Sequence, residues 1–238
     1  MVRFPKLVDA LTAVDGRSRG VLDHMAREIR EAGLIQTTKA GWGAAAMTSL
    51  DAAHLILGVY GSTGRGTAAA AAEALSGLRV GFMSEIMARM HPDLHPRVLT
   101  IQQQPTLAEA VAAVIEIGDE LAEQTLRTQS TLPVIGPLYP ETLDGRELED
   151  WPQGLSVMLR IAHPTLEPYL LFAWRGSEHV QDHAVAYDWA NATPDGKRAL
   201  ASYELHTLVH TNVFRAMHRV LYADRSVSYT HLRAHETR

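Results

Sequence analysis

Histidine clusters and a run of arginines near the N-terminus are the residues of this chain whose types and spacing suit chemistry. HPDLHP sets His91, Asp93 and His95 close together, and EHVQDH does the same with His179, Asp182 and His183. His206 and His210 are four apart in a segment that reads as an amphipathic closing helix, where both imidazoles would share one face as zinc requires. No glutamate sits between them in the metalloprotease pattern, and no cluster supplies a recognisable third ligand. The sequence therefore predicts histidines on polar surface or in hydrogen bonds, with no metal and no cofactor. Ser177 and His179 are neighbours in WRGSEH, but a triad is a spatial arrangement and no nucleophile-elbow motif accompanies them. Gly61–Thr67 (GSTGRGT) is glycine-rich before a helix, yet lacks the Gly-Lys-Ser/Thr ending of a phosphate loop and follows a helix rather than a strand. It reads as a linker, and no catalytic residue is predicted.

The arginines carry a more specific signal. Arg17, Ser18 and Arg19 stand at the start of a helix, where arginine can read guanine bidentately and backbone N–H groups attract phosphate oxygens. His24 and Arg27 follow along one exposed face, and Lys39 and Trp42 lie in the loop beyond. Arg17, Arg19 and Arg27 are expected to face solvent, with Ile29 and Leu34 in the core. Asp23, Glu28 and Glu31 weaken the positive face. Trp42 reads more readily as an anchor between loop and helices than as a base-stacking residue.

The elements that must position these residues are helical. Leu7, Val8, Leu11 and Val14 recur at helical spacing behind Pro5, and DGRSRG makes a turn. Leu22, Met25, Ala26 and Ile29 share a face of a second helix that stops at Gly33. Two short extended pieces around Ala40–Gly43 precede a third helix capped by Thr48 or Ser49, with Leu50, Ala53, Ile56 and Leu57 inward. An alanine-rich helix covers 67–78, and HPDLHPRVLTIQQQP reads as an irregular or strand connection. Thr106 and Glu109 open a helix whose Leu107, Val111, Val114 and Leu121 form a seam interrupted by Gly118, suited equally to a core or to a dimer. GLSVMLRIAH and PYLLFAWRG form a hairpin with Phe172 and Trp174 in or near the core, and YELHTLVHTNVFRAMHRVLYA closes the chain as one helix.

The order of the first elements carries a resemblance. KLVDALTAVDGRSRGVLDHMAREIREAGLI is similar to the first and recognition helices of MerR-type and GntR-type regulators, and QTTKAGWGAAAMTSLDAAHLI stands where the MerR type has its wing and next helix. The resemblance covers the first quarter of the chain. It implies a winged helix-turn-helix whose second helix enters the major groove of double-stranded DNA, with Arg17, Ser18, Arg19, His24, Arg27, Lys39 and Trp42 as contacts. The aromatic-arginine wing and long C-terminal coiled coil of the MerR type are missing, so neither DNA distortion nor metal sensing is implied.

Composition bounds the rest. The 238 residues are 46% hydrophobic, enough for one large or two small cores, and contain no cysteine, which excludes disulfides, thiolate metal sites and a cysteine nucleophile. No apolar run suits a signal peptide or a membrane span, so a cytoplasmic protein is expected. Val227–Arg238 (VSYTHLRAHETR) resembles the translation of a transposon-type sequencing adapter, which removes His231 and His235 from consideration and leads one to expect the natural gene to continue past Arg225 or Ser226. Residues 1–66 then carry a net charge of +2 and residues 67–226 a net −8, which places any nucleic-acid contact at the head. The sequence thus predicts an α+β protein: a winged helix-turn-helix domain over 1–61, a helical linker or dimerisation region over 62–130, an α+β C-terminal domain over 131–226, and a non-native read-through over 227–238. The expected function is DNA binding by a bacterial or prophage transcriptional regulator acting as a homodimer. The alternatives are a non-enzymatic phage packaging, structural or interaction component and, further off, a histidine-dependent metalloenzyme.

Overall fold

Pro5 in the first turn, with Leu7, Val8 and Leu11 buried on one side, makes helix α1 (Phe4–Val14). The chain is described here from a computed structural model over residues 2–36, 46–62, 67–80, 95–122, 155–163, 166–175, 182–190 and 205–235. Helix α2 (Arg19–Glu31) buries Leu22, Ala26 and Ile29 and ends where Gly33 takes φ +79°, the left-handed stop that glycine adopts without a Cβ penalty. Ile35, just beyond, is fully buried, whereas Leu34 is only partly so.

Helix α3 (Ser49–Gly61) is apolar nearly all round and contacts α2, the following helices and the sheet. That is the pattern of a central helix. Its N-terminus is a full capping box: Thr48 Oγ1 accepts from Asp51 N, and the Asp51 carboxylate accepts from Thr48 N. Leu50 departs from the expected inward position and is 39% exposed. It shares a side with buried Leu57 two turns later, so the cover over α3 stops short of its first turn. Gly58 lets the helices approach closely: a Cβ there would lie 2.5 Å from Ile29 Cδ1 and 2.7 Å from the Ala68 carbonyl oxygen.

Helix α4 (Ala68–Ser76) is capped by Thr67 and packs Ala68, Ala71, Ala72 and Leu75 inward. A two-residue strand β1 (Arg79–Val80) follows. The 95–102 segment is helix α5 (Pro96–Gln102), not the strand or irregular connection the sequence suggested. His95 caps it, Pro96 fits its first turn, and Val98 and Ile101 bury at a spacing of three. Helix α6 (Leu107–Glu116) ends in a 3₁₀ turn, Gly118–Glu120. Leu107, Val111, Val114 and Leu121 are all buried within the chain. The helical run stops short of Leu121, which bridges to Leu155, and the interruption falls at Gly118 as the sequence suggested. Gly118 is the point where the last helix crosses so closely that a Cβ would collide with His218.

Strands β2 (Ser156–His163), β3 (Glu167–Arg175), β4 (Asp182–Ala190) and β5 (Leu205–Val209) form an antiparallel sheet of order β1-β4-β3-β2-β5. The expected hairpin is β2–β3, in register with Leu159 opposite Leu170, and Phe172 lies in the core. Strand β4 adds to β3 and β5 returns to the free edge of β2, which is a Greek-key order. The fold class is therefore α+β.

The closing segment is not one helix. Leu205–Val209 is strand β5, and only from Thr211 does helix α7 (Thr211–His235) run, into the adapter-like tail. Thr211, fully buried, makes the switch: its hydroxyl donates to the Val157 carbonyl at 2.8 Å and accepts from Val157 N at 3.0 Å, replacing the rung that β5 no longer supplies. From α7, Val213, Phe214 and Met217 join Val157, Leu159, Ile161 and Val209 in a core continuous with Leu7, Leu11, Leu22 and Ile29. Helix α1 packs directly on α7.

Candidate nucleic-acid interface

The two-faced character of α2 sets the geometry of the arginine-bearing region. Its apolar stripe is covered, so Ser18, Gly20, Asp23, His24, Arg27 and Glu31 are exposed on the outside. Ser18 caps α2 with its backbone carbonyl, which accepts from Val21 N and Leu22 N, while its hydroxyl makes no capping bond. Arg27 has no ion pair among the described residues.

Arg17 does not face solvent as expected. Its guanidinium clamps the Asp15 carboxylate through Nε (2.8 Å) and Nη2 (2.6 Å), donates from Nη1 to the Val59 carbonyl (3.0 Å), and lies 5.1 Å from the centroid of the Tyr60 ring. Burial alone would raise the Asp15 carboxyl, but hydrogen bonds from Arg17 outweigh it and hold the group below the usual carboxylate value. The same bonds raise Arg17 further, and burial pushes the Tyr60 phenol up. This arginine fixes the α1–α2 turn to the end of α3.

Arg19 sits differently. It pairs with Asp9 of α1 and, through Nε at 2.9 Å, with Asp23 of its own helix. Arg30 stacks 5.5 Å from the Phe4 centroid. Glu28, whose charge lay against the interface in the sequence, is turned inward: Oε2 accepts from Ala68 N at 2.9 Å at the start of α4, and Oε1 lies 3.4 Å from His24 Nε2. The helix start after the glycine-rich Gly61–Thr67 segment is thus already capped by a carboxylate of the protein itself, and Gly61 is the buried last residue of α3.

Lys39 and Trp42 lie outside the described residues. The chain on either side of them is held by a single group. Asp51, 3% exposed, accepts from Gln36 N through Oδ1 (3.0 Å) and from Thr48 N and Thr48 Oγ1 through Oδ2 (2.8 and 2.7 Å). The sequence reading passed over Asp51, Asp15 and Tyr60. The Thr-x-x-Asp spacing of 48–51 was the legible signal for the first of these.

The histidine clusters come apart. His91, Asp93, Ser177 and His179 lie outside the described residues. His95 caps α5, its Nδ1 accepting from Arg97 N at 3.2 Å, and burial lowers its pKa. Asp182 and His183 belong to β4. His206 pairs with Ala162 in the β5–β2 ladder and His210 precedes α7, so the two do not share a helix face. Burial lowers the pKa of His210 as well. Among the described residues no three His, Asp or Glu side chains are arranged to hold a metal ion, and no helix is long and apolar enough to cross a membrane.

No protein-family model, no curated protein and no solved structure matches this chain.

Proposed function

We propose that this protein binds double-stranded DNA through the outer face of α2, as a winged helix-turn-helix regulator of bacterial or prophage transcription acting as a homodimer. The observation that carries this reading is the division of α2: an apolar stripe covered by the core, and an uncovered face bearing Ser18, His24 and Arg27, which has no ion pair among the described residues. A helix docked in the major groove needs such a face, with its N-terminal turn open to phosphate and base edges. Glu28 has one oxygen engaged by Ala68 N and the other beside His24, so part of its charge is taken up within the protein. The Asp51 anchor brings the chain into and out of the Lys39–Trp42 segment at one place, as a wing requires. Arg17 is left out of the contact set, since its donors are engaged inside the fold.

The charge on α2 limits the strength. With Asp23 and Glu31 exposed beside Arg27, each protomer is expected to make roughly two to three phosphate contacts, so that the dimer gives a log–log salt slope of about −4 to −5. Fluorescence anisotropy of the full chain on mixed-sequence duplexes at low and moderate salt tests this. Arg27→Ala should weaken binding on the order of tenfold without lowering Tm. The second reading, a packaging or protein-interaction component, is favoured by Val21, which is 47% exposed on α2. Absence of binding to any duplex at low salt would make it the better one.

A further inference from the structure

We infer that Asp9 and Asp23 hold Arg19 in reserve, so that these two carboxylates limit the DNA affinity of α2. The inference rests on the proposed DNA-binding function. Arg17 and Arg19 are two residues apart and both are paired, but in opposite ways. The partner of Arg17, Asp15, is buried, and that clamp continues into the Val59 carbonyl. Both partners of Arg19 are solvent-exposed, one on each of two helices, and Arg19 is itself partly exposed. Exposed ion pairs of this kind are weak and exchange readily. A phosphate offers a guanidinium the same forked, bidentate partner as a carboxylate. Arg19, at the first turn of the helix whose outer face is proposed to meet DNA, is buried at Nε, but the exposed part of its guanidinium can pass from carboxylate to phosphate.

The limit arises because Arg19 must leave two carboxylates to meet a phosphate, and the pairs it breaks offset part of what it gains. Two negative charges around one positive charge leave a local charge of −1 where a phosphate would approach. Replacing both by asparagine keeps side-chain size and an oxygen acceptor for the guanidinium, and turns that local charge to +1. Freeing Arg19 from each of these exposed ion pairs is expected to be worth roughly a threefold to fivefold gain in affinity, a gain that requires the guanidinium to be present.

The experiment is a double-mutant cycle on the full chain with a fluorescent mixed-sequence duplex over a salt series, comparing wild type, Asp23→Asn, Asp9→Asn with Asp23→Asn, Arg19→Gln, and all three together. Circular dichroism melting shows that each variant is folded. The paired asparagine variant should bind on the order of tenfold tighter at low salt, with a salt slope steeper by about one phosphate contact. In the Arg19→Gln background most of that gain should disappear. An equal gain with and without Arg19 would show a general effect of net charge and overturn the inference while leaving DNA binding in place. No binding by wild type or by any variant, at the lowest salt, would overturn the DNA reading and this inference with it.

Discussion

Arg17 and Asp15 form a forked ion pair, Nε to Oδ1 at 2.8 Å and Nη2 to Oδ2 at 2.6 Å, at the turn between α1 and α2. Arg17 is one-third exposed and Asp15 only 5%, so the pair sits at the edge of the core. Arg17→Ala is expected to cost roughly 1–3 kcal/mol from the lost charge-assisted bonds and the orphaned Val59 carbonyl. Stability from Asp15 follows the usual direction for a depressed carboxyl. It is fully present above the unfolded value of 3.8 and is lost as pH falls through the lower folded value. Chemical denaturation should therefore show wild type and Asp15→Asn differing at neutral pH and converging below about pH 4. A difference that stays constant into strong acid would show that the Asp15 charge contributes nothing.

Gly58 and Gly61 should respond to different degrees to the same substitution. Alanine in a helix gains about 1 kcal/mol over glycine in intrinsic propensity. At Gly61 the new Cβ would lie 2.7 Å from Leu75 Cδ1, a side-chain end that can turn away, and 3.1 Å from Ala71 Cβ, which must give by a few tenths of an ångström, so Gly61→Ala should cost less than about 1 kcal/mol. At Gly58 it would lie 2.7 Å from the Ala68 carbonyl oxygen, which is backbone and anchored by the α4 cap. Gly58→Ala should destabilise by roughly 2–3 kcal/mol as α3 is pushed off α4. Thermal melts of the two variants side by side check the order.

Thr211 offers a test of the strand-to-helix switch. Valine has the shape of threonine but neither donates nor accepts, so Thr211→Val leaves both polar groups of Val157 buried and unsatisfied. A loss of about 2–4 kcal/mol is expected, whereas Thr211→Ser, which keeps the hydroxyl, should lose much less. Equal losses for valine and serine would mean that packing of the methyl, and not the hydroxyl, holds α7 to β2.

How far the sequence revealed these features depended on how local they are. The inner face of α2 was legible because Leu22, Ala26 and Ile29 repeat at the helical period within one element. The β2–β3 hairpin was legible for a similar reason. Strand β5 was not: LHTLV is five residues, too short for alternation to outweigh the helical pattern that follows it, and pairing with β2 decides its form. Arg17 was misplaced because its acceptor at Val59 lies 42 residues on, beyond any local pattern. Glu28 was read as an exposed repulsive charge because its partner, the start of α4, is 40 residues away. On α2, then, the helix and the exposure of Arg27 were legible in the sequence. Which other charges were available to a partner was settled by tertiary contacts.

Asp51 is where stability and the proposed function meet. Its carboxylate caps α3 and also receives Gln36 N, so one buried side chain ties the end of the α2 connection to the start of α3. Asp51→Ala removes an N-terminal cap and leaves Gln36 N without its acceptor. The expected loss is about 2–4 kcal/mol, combining a cap with an unsatisfied group. Asp51→Asn keeps the size and one oxygen, so it can serve either Gln36 or Thr48 but not both, and should fall between wild type and alanine. The loss should also be local. Amide hydrogen exchange should speed up at Gln36 or Thr48 in the asparagine variant while amides paired between β2 and β3 keep their protection, because that ladder makes no bond to this carboxylate. If the Lys39–Trp42 segment contributes to DNA binding, the asparagine variant should also weaken affinity while Arg27→Ala still weakens it further. Uniform acceleration of exchange across the chain would instead make Asp51 a contributor to global stability with no particular hold on the loop.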